Sequence, residues 1–173
     1  LKQIEKSEAY RKEAFYKIFP SQVETGKKQS STLDWIYSHC QDGRGVVTPR
    51  DVIDLLNFAR SKQSEIFASQ PIEQEFLISS VAIKYGFLRL SEKKLTTYLK
   101  AEFPHFWPDI EMLQGTKSEH NKRSLTKIFG KNVNIVIKNL CSVGVLQHQL
   151  SPDSYKIPFL FRPALKLKQG KAF

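Results

Sequence analysis

The sequence predicts a mainly α-helical protein with a small β-hairpin near its end, and three observations predict it. Apolar residues recur at helical spacing through most of the chain, in stretches separated by proline and glycine. Thr48-Pro49-Arg50-Asp51 carries the chemistry of a helix start, with a hydroxyl that can cap and a proline suited to the first helical position. Only at Val145 does the pattern turn to alternation, Val145 to Leu150, followed by the turn Ser151-Pro152-Asp153-Ser154 and a second short strand, Tyr155 to Ile157.

The elements follow in order. Residues 2–16 place Ile4, Ala9, Tyr10, Ala14 and Phe15 among charges, an amphipathic helix that Ile18-Phe19-Pro20 ends. Polar residues 21–31 form a loop. A helix restarts at Ser31 or Thr32 with Leu33, Trp35, Ile36 and Tyr37 as its apolar face, and Asp42-Gly43-Arg44-Gly45 closes it. From Thr48, with Asp51 returning a capping-box bond, a buried helix runs to about Ser69 through Val52, Ile53, Leu55, Leu56, Phe58 and Ala59. Gln70-Pro71 breaks the pattern. A helix from Ile72 to about Arg89 comes next, and Ser91-Glu92 opens another that Glu102-Phe103-Pro104 ends.

Trp107-Pro108 then leads a short helix to Gly115, Ser118 to Phe129 reads as a second, and Asn132 caps a third. Ile135, Val136, Ile137, Leu140 and Val143 form the buried side of that third helix. Short helices, a helix, a strand, a turn and a strand make a winged helix. The expected organisation is a helical bundle over residues 1–70 and a winged-helix domain over residues 71–173. The aromatics Phe15, Phe19, Trp35 and Phe58 fall on core faces, not on a platform for stacking single-stranded bases.

Of 173 residues, 40% are hydrophobic and 25% charged, the proportions of an ordinary globular chain. No run of about 18 apolar residues occurs and the first twelve lack the apolar stretch of a signal peptide, so a cytoplasmic location is expected. The chain opens at Leu1 and its one methionine is Met112, which points to a piece of a longer protein. Its two cysteines, Cys40 and Cys141, sit in apolar helical patterns and read as free buried thiols. The four histidines, His39, His105, His120 and His148, show no metal-ligand spacing.

Charge is segregated. The net charge is +10, yet residues 1–116 hold 16 basic against 15 acidic residues, while residues 117–173 hold 11 against 2. A module of one sign favours a polyanion, because phosphates neutralised by lysine and arginine release counterions. The cations divide between the second short helix (Lys122, Arg123, Lys127) and the second strand and tail (Lys156, Arg162, Lys166, Lys168, Lys171). The third helix offers Asn132, Asn134, Lys138, Asn139 and Ser142, among which asparagine suits adenine and lysine suits phosphate or guanine. DNA of low sequence specificity is the partner these residues predict.

No catalytic motif accompanies them. A phosphate-binding loop needs Gly-x-x-x-x-Gly-Lys-Ser/Thr, and neither Thr25-Gly26-Lys27-Lys28 nor Gln114-Gly115-Thr116-Lys117-Ser118 supplies it. Ser38-His39-Cys40 are neighbours on a helix, where adjacent side chains diverge, so they do not form a dyad. The chain by itself is expected to be non-catalytic and to bind no metal.

Several segments together resemble a known family. Ile18-Phe19-Pro20-Ser21-Gln22-Val23, Thr32-Leu33-Asp34-Trp35-Ile36, Asp42-Gly43-Arg44-Gly45 and Thr48-Pro49-Arg50-Asp51-Val52-Ile53-Asp54-Leu55-Leu56-Asn57 look like the C-terminal region of bacterial P-loop ATPases of the AAA/STAND-like kind. Residues 95–102, Leu113-Gln114-Gly115 and Tyr155-Lys156-Ile157-Pro158-Phe159-Leu160-Phe161-Arg162 extend the resemblance over most of the chain. It implies a helical lid before the winged helix. Arg50 then becomes the candidate sensor arginine, its fixed fork of donors reaching the γ-phosphate of ATP and Mg held by the core domain of the full-length protein. It further implies the ATPase core domain and a homo-oligomer as partners, and work in DNA transactions or phage defence. The alternative role is a protein–protein interaction or oligomerisation module of the ATPase, without nucleic-acid binding.

Overall fold

The computed structural model describes residues 7–69 and 76–172. Helices dominate: α1 (Glu8–Ile18), α2 (Thr32–Cys40), α3 (Pro49–Ser69) and α4 (Ser80–Lys93) come first. Helix α4 continues without a break through a π-helical turn, Lys94–Leu99, into α5 (Lys100–Glu102). After α6 (Trp107–Glu111) the chain forms β1 (Lys117–Asn121), α7 (Lys122–Phe129), α8 (Val133–Ser142), β2 (Gln147–His148), β3 (Ser154–Lys156) and β4 (Lys168–Ala172). The four strands make one sheet in the order β2-β3-β1-β4. Strand β3 runs antiparallel to both β2 and β1, whereas β4 runs parallel to β1.

Local chemistry sets most helix starts. The Ser31 side chain accepts from Asp34 N at the start of α2, and Thr48 Oγ1 accepts from Asp51 N at 3.2 Å at the start of α3. Asp51 does not return the capping-box bond predicted for it. Its carboxylate turns inward instead and pairs with Lys94 at 2.8 Å, both side chains almost wholly buried. At α7 a reciprocal cap is present: Asn121 Oδ1 accepts from Ser124 N and Ser124 Oγ accepts from Asn121 N. Gly130 ends α7 with φ of +60°, a conformation that costs glycine little.

Several predicted elements differ. The break at Gln70-Pro71 and the proposed domain boundary lie outside the described residues, as does Ile72. The next helix starts at Ser80, later than predicted, because Ser79 accepts from Ala82 N and caps it there. No helix opens at Ser91; its buried Oγ accepts from Ala164 N at 3.2 Å, which pins the tail to α4. Residues 118–121 are strand, not helix, because β1 pairs with β3 and β4 on its two sides. Asn132 sits at the end of a 3-10 turn and makes no side-chain cap to α8.

Burial also reassigns the helix faces. Thr32, Trp35, Ile36 and Cys40 form the inward stripe of α2, leaving Leu33 and Tyr37 exposed. On α3 the inward positions are Asp51, Leu55, Ala59 and Gln63, and Ile53 faces out. Helix α1 buries none of its residues, although Phe15 packs partly against Phe19 at a ring separation of 4.5 Å. Phe19 and Trp35 are buried as expected, and Phe58 is half-buried.

A single cluster of buried apolar residues runs from Phe19 through Leu55, Ile83 and Leu90 to Leu125, Leu140, Ile157 and Leu165. Helices α3 and α4 approach closely at Gly86, where an added Cβ would lie 2.5 Å from the Leu55 carbonyl oxygen. The loop after α2 locks onto the loop after α8. Gly43 N donates to Gly144 O at 2.6 Å, and the Asp42 carboxylate, held by the amides of Arg44 and Val46, fills the space beside Gly144. No described helix is long and apolar enough to cross a membrane.

Candidate nucleic-acid interface

Helix α8 presents two faces. Val133, Val136, Ile137 and Leu140 are buried, so Asn134, Ile135, Lys138 and Ser142 point away from the core, with Asn132 exposed and Asn139 half-buried on the flank. Ile135 was expected inside; it is 66% exposed. Two staggered apolar sets occur in Val133-Asn134-Ile135-Val136-Ile137, and packing against α7 buries the set that contains Val133.

Helix α7 buries Leu125 and Phe129 and exposes Lys122 at its first position and Arg123 and Lys127 on its opposite side. Lys131, in the turn between α7 and α8, is exposed as well; no pattern in the sequence singles it out, because the turn has no period of its own. Lys122, Arg123, Lys127, Lys131, Lys138, Lys156, Lys166 and Lys168 form no ion pair among the described residues. Such charges remain available to an external polyanion.

The sheet adds a polar outer face. Ser118, His120 and Tyr155 point inward and are buried, which turns Lys117, Glu119 and Lys156 outward. Register places Glu119 opposite Lys156 on one side and Lys171 on the other, so one acid sits between two bases. The inward polar groups are satisfied. Ser118 Oγ accepts from Gly170 N, and His120 Nε2 lies 2.8 Å from the Lys117 carbonyl, which requires the proton on that nitrogen. Burial holds the His120 pKa below its ordinary value. Lys166 and Lys168 are exposed, and Leu150 at the tip of the β2–β3 hairpin is fully exposed.

Arg162 belongs to the fold more than to this surface. Its Nε donates to Ile157 O at 2.8 Å and its guanidinium lies 4.1 Å from the Phe159 ring centroid. Phe159 stacks on His39 at 4.5 Å, and His39 stacks on Trp35 at 3.7 Å. This four-layer stack ties the tail to α2. Ser38 Oγ does approach His39 Nδ1, at 3.2 Å, but Nδ1 lies 2.8 Å from the Trp35 carbonyl. The proton that this contact requires prevents Nδ1 from acting as a base toward the serine.

Burial among these rings pushes the His39 pKa down to about 4. The unfolded chain takes up a proton near pH 6.5 that the folded chain refuses until about pH 4. Stability is therefore full above pH 6.5 and falls as pH drops to about 4, by on the order of 3 kcal/mol from this group. Denaturant midpoints measured across that range will show the loss, and His39→Phe, which keeps the stack without the titration, will shrink it.

No protein-family model, curated protein or solved structure matches this chain. Its residues alone carry the reading.

Arg50 belongs to α3, not to α7 or α8. It is exposed in the first turn of α3, without an ion pair among the described residues, at the edge of a cleft of about 820 Å³. Thr48, Ile53, Leu90, Tyr98 and Glu102 line the cleft, with the Asp51–Lys94 pair at its floor. Lys94 Nζ also sits 4.3 Å from the Tyr98 ring centroid. Among the described residues no group of three His, Cys, Asp or Glu side chains could hold a metal ion. Both cysteines are free, and burial pushes the Cys40 thiol up to about 12. Cys141 is only half-buried, and its thiol is raised for the same reason.

Proposed function

We propose that residues 107–172 form a winged helix that binds duplex DNA, chiefly through its phosphate backbone, as part of the C-terminal region of a cytoplasmic P-loop ATPase. The observation that carries this reading is the set of lysines and arginine on α7, α8 and the adjoining turn, none paired with a carboxylate among the described residues. The element order supports it. A helix, a strand, two helices and a hairpin whose second strand pairs with the first strand is the order of a winged helix. In that arrangement α8 is the helix offered to the major groove, and α7 and the hairpin flank it.

In the same reading, the helical half is the lid, and Arg50 reaches a nucleotide phosphate held by the ATPase core. Its exposure and its lack of an ion pair support that role. A second reading, contact with a protein partner, draws on the exposed Ile135 and Leu150.

Fluorescence anisotropy of a labelled mixed-sequence duplex, titrated at several salt concentrations, tests the proposal. Micromolar binding that weakens steeply with salt is expected. Absence of binding at low salt would overturn it and leave the protein-partner reading.

A further inference from the structure

The outward face of α8 holds a single apolar side chain within a ring of polar ones. Lys138 and Asn139, three and four positions on from Ile135, are its neighbours on the helix surface, and the 3-10 turn that leads into α8 supplies Lys131 and Asn132 just before it. Each of the four is polar, and the two lysines form no ion pair among the described residues. A surface that docks a protein would surround a 66% exposed isoleucine with further apolar groups. This one surrounds it with hydrogen-bond donors and positive charge.

Duplex DNA fits that pattern. The major-groove edge of the base pairs displays donors, acceptors and one apolar group, the thymine C5-methyl. Building on the DNA-binding reading above, we infer that Ile135 packs on a thymine methyl in the major groove, with Asn134 beside it bonding adenine N6 and N7. Lys131 and Lys138 then lie toward the two phosphate walls. The partner is a duplex that carries A·T pairs where the first turn of α8 enters. An RNA duplex does not qualify, because its major groove is too narrow for the helix and uracil has no methyl.

Position supports the assignment. Base contacts from a groove-bound helix come from its N-terminal turns, and Asn134 and Ile135 are the second and third residues of α8. Both project from the side opposite Val136 and Leu140, the residues that fix the helix to the core. Neither makes a side-chain hydrogen bond or ring contact within the described chain, so neither is committed elsewhere.

The test compares three duplexes of equal length in the anisotropy assay: alternating A·T, the same sequence with deoxyuridine for every thymidine, and alternating G·C. The A·T duplex is expected to bind tightest. Deoxyuridine should weaken binding about fourfold for each thymine methyl that Ile135 would otherwise cover. Ile135→Ala will close the gap between thymidine and deoxyuridine duplexes while leaving the salt dependence as it was. Equal binding of the first two duplexes by the unaltered protein would overturn the inference and leave the DNA reading intact. Failure to bind any duplex at low salt would overturn the DNA reading itself. Loss of self-association in Ile135→Ala, seen by sedimentation, with its duplex preference unchanged would make Ile135 a protein contact and overturn the inference.

Discussion

Replacing Lys122, Arg123 and Lys127 together with alanine will lower the log–log salt slope of duplex binding by about 2.7, on a contribution of about 0.9 for each phosphate contact. All three residues are exposed, Lys122 at the first position of α7 and Arg123 and Lys127 on the side opposite Leu125 and Phe129, so the substitutions leave the core untouched. None forms an ion pair among the described residues, and no competing internal interaction disappears with them. Raising salt from about 50 to about 200 mM weakens binding about 3.5-fold per contact, so the variant's affinity will be about 40-fold less sensitive to that change. A melting curve unchanged from the parent protein will show that the fold survives. An unchanged slope would remove α7 from the interface and shift the weight to the sheet lysines and the tail.

The largest effect on stability is expected at Lys94. Its side chain is 12% exposed and that of Asp51 7%, with 2.8 Å between ammonium and carboxylate. Lys94→Met leaves a buried carboxylate without its counter-ion, a loss of about 3–5 kcal/mol. Asp51→Asn in the same chain removes the orphaned charge, and the double variant will recover a large part of that loss. Guanidinium midpoints at constant slope provide the measurement. Additive costs would show that the two groups are not coupled. The π-helical turn Lys94–Leu99 begins at this lysine and also presents Tyr98 to the cleft beside Arg50. Loosening the pair will therefore disturb the surroundings of Arg50 along with the packing of α3 on α4.

Charge segregation was legible because it requires no knowledge of the fold. Eleven basic residues against two acidic ones after residue 116 can be counted whatever the topology. The sequence also singled out Lys122, Arg123, Lys127 and Lys138, and all four are exposed. It erred at Ile135, placed inside because Val-Asn-Ile-Val-Ile supports two inward registers at nearly equal hydrophobicity. Arg162 was counted with the surface cations because nothing in its neighbours reveals the stack with Phe159, His39 and Trp35. That stack joins residues about 120 positions apart.

What the sequence determined alone was local: the cap at Thr48, the end of a helix at Phe129, the hairpin turn at Ser151 to Ser154, and the mainly helical class. Each depends on side chains within a few residues of the backbone group they satisfy, so short windows contain the whole cause. Tertiary structure alone decided β1, the Asp51–Lys94 pair and the outward turn of Ile135. Strand β1 has polar inward residues, Ser118 and His120, and so lacks the apolar alternation that would announce it; its pairing with β3 and β4 makes it a strand. Asp51 found a lysine 43 positions away in place of the cap its own helix offered. In each case the deciding free energy comes from burial and pairing between distant segments, which no local pattern encodes.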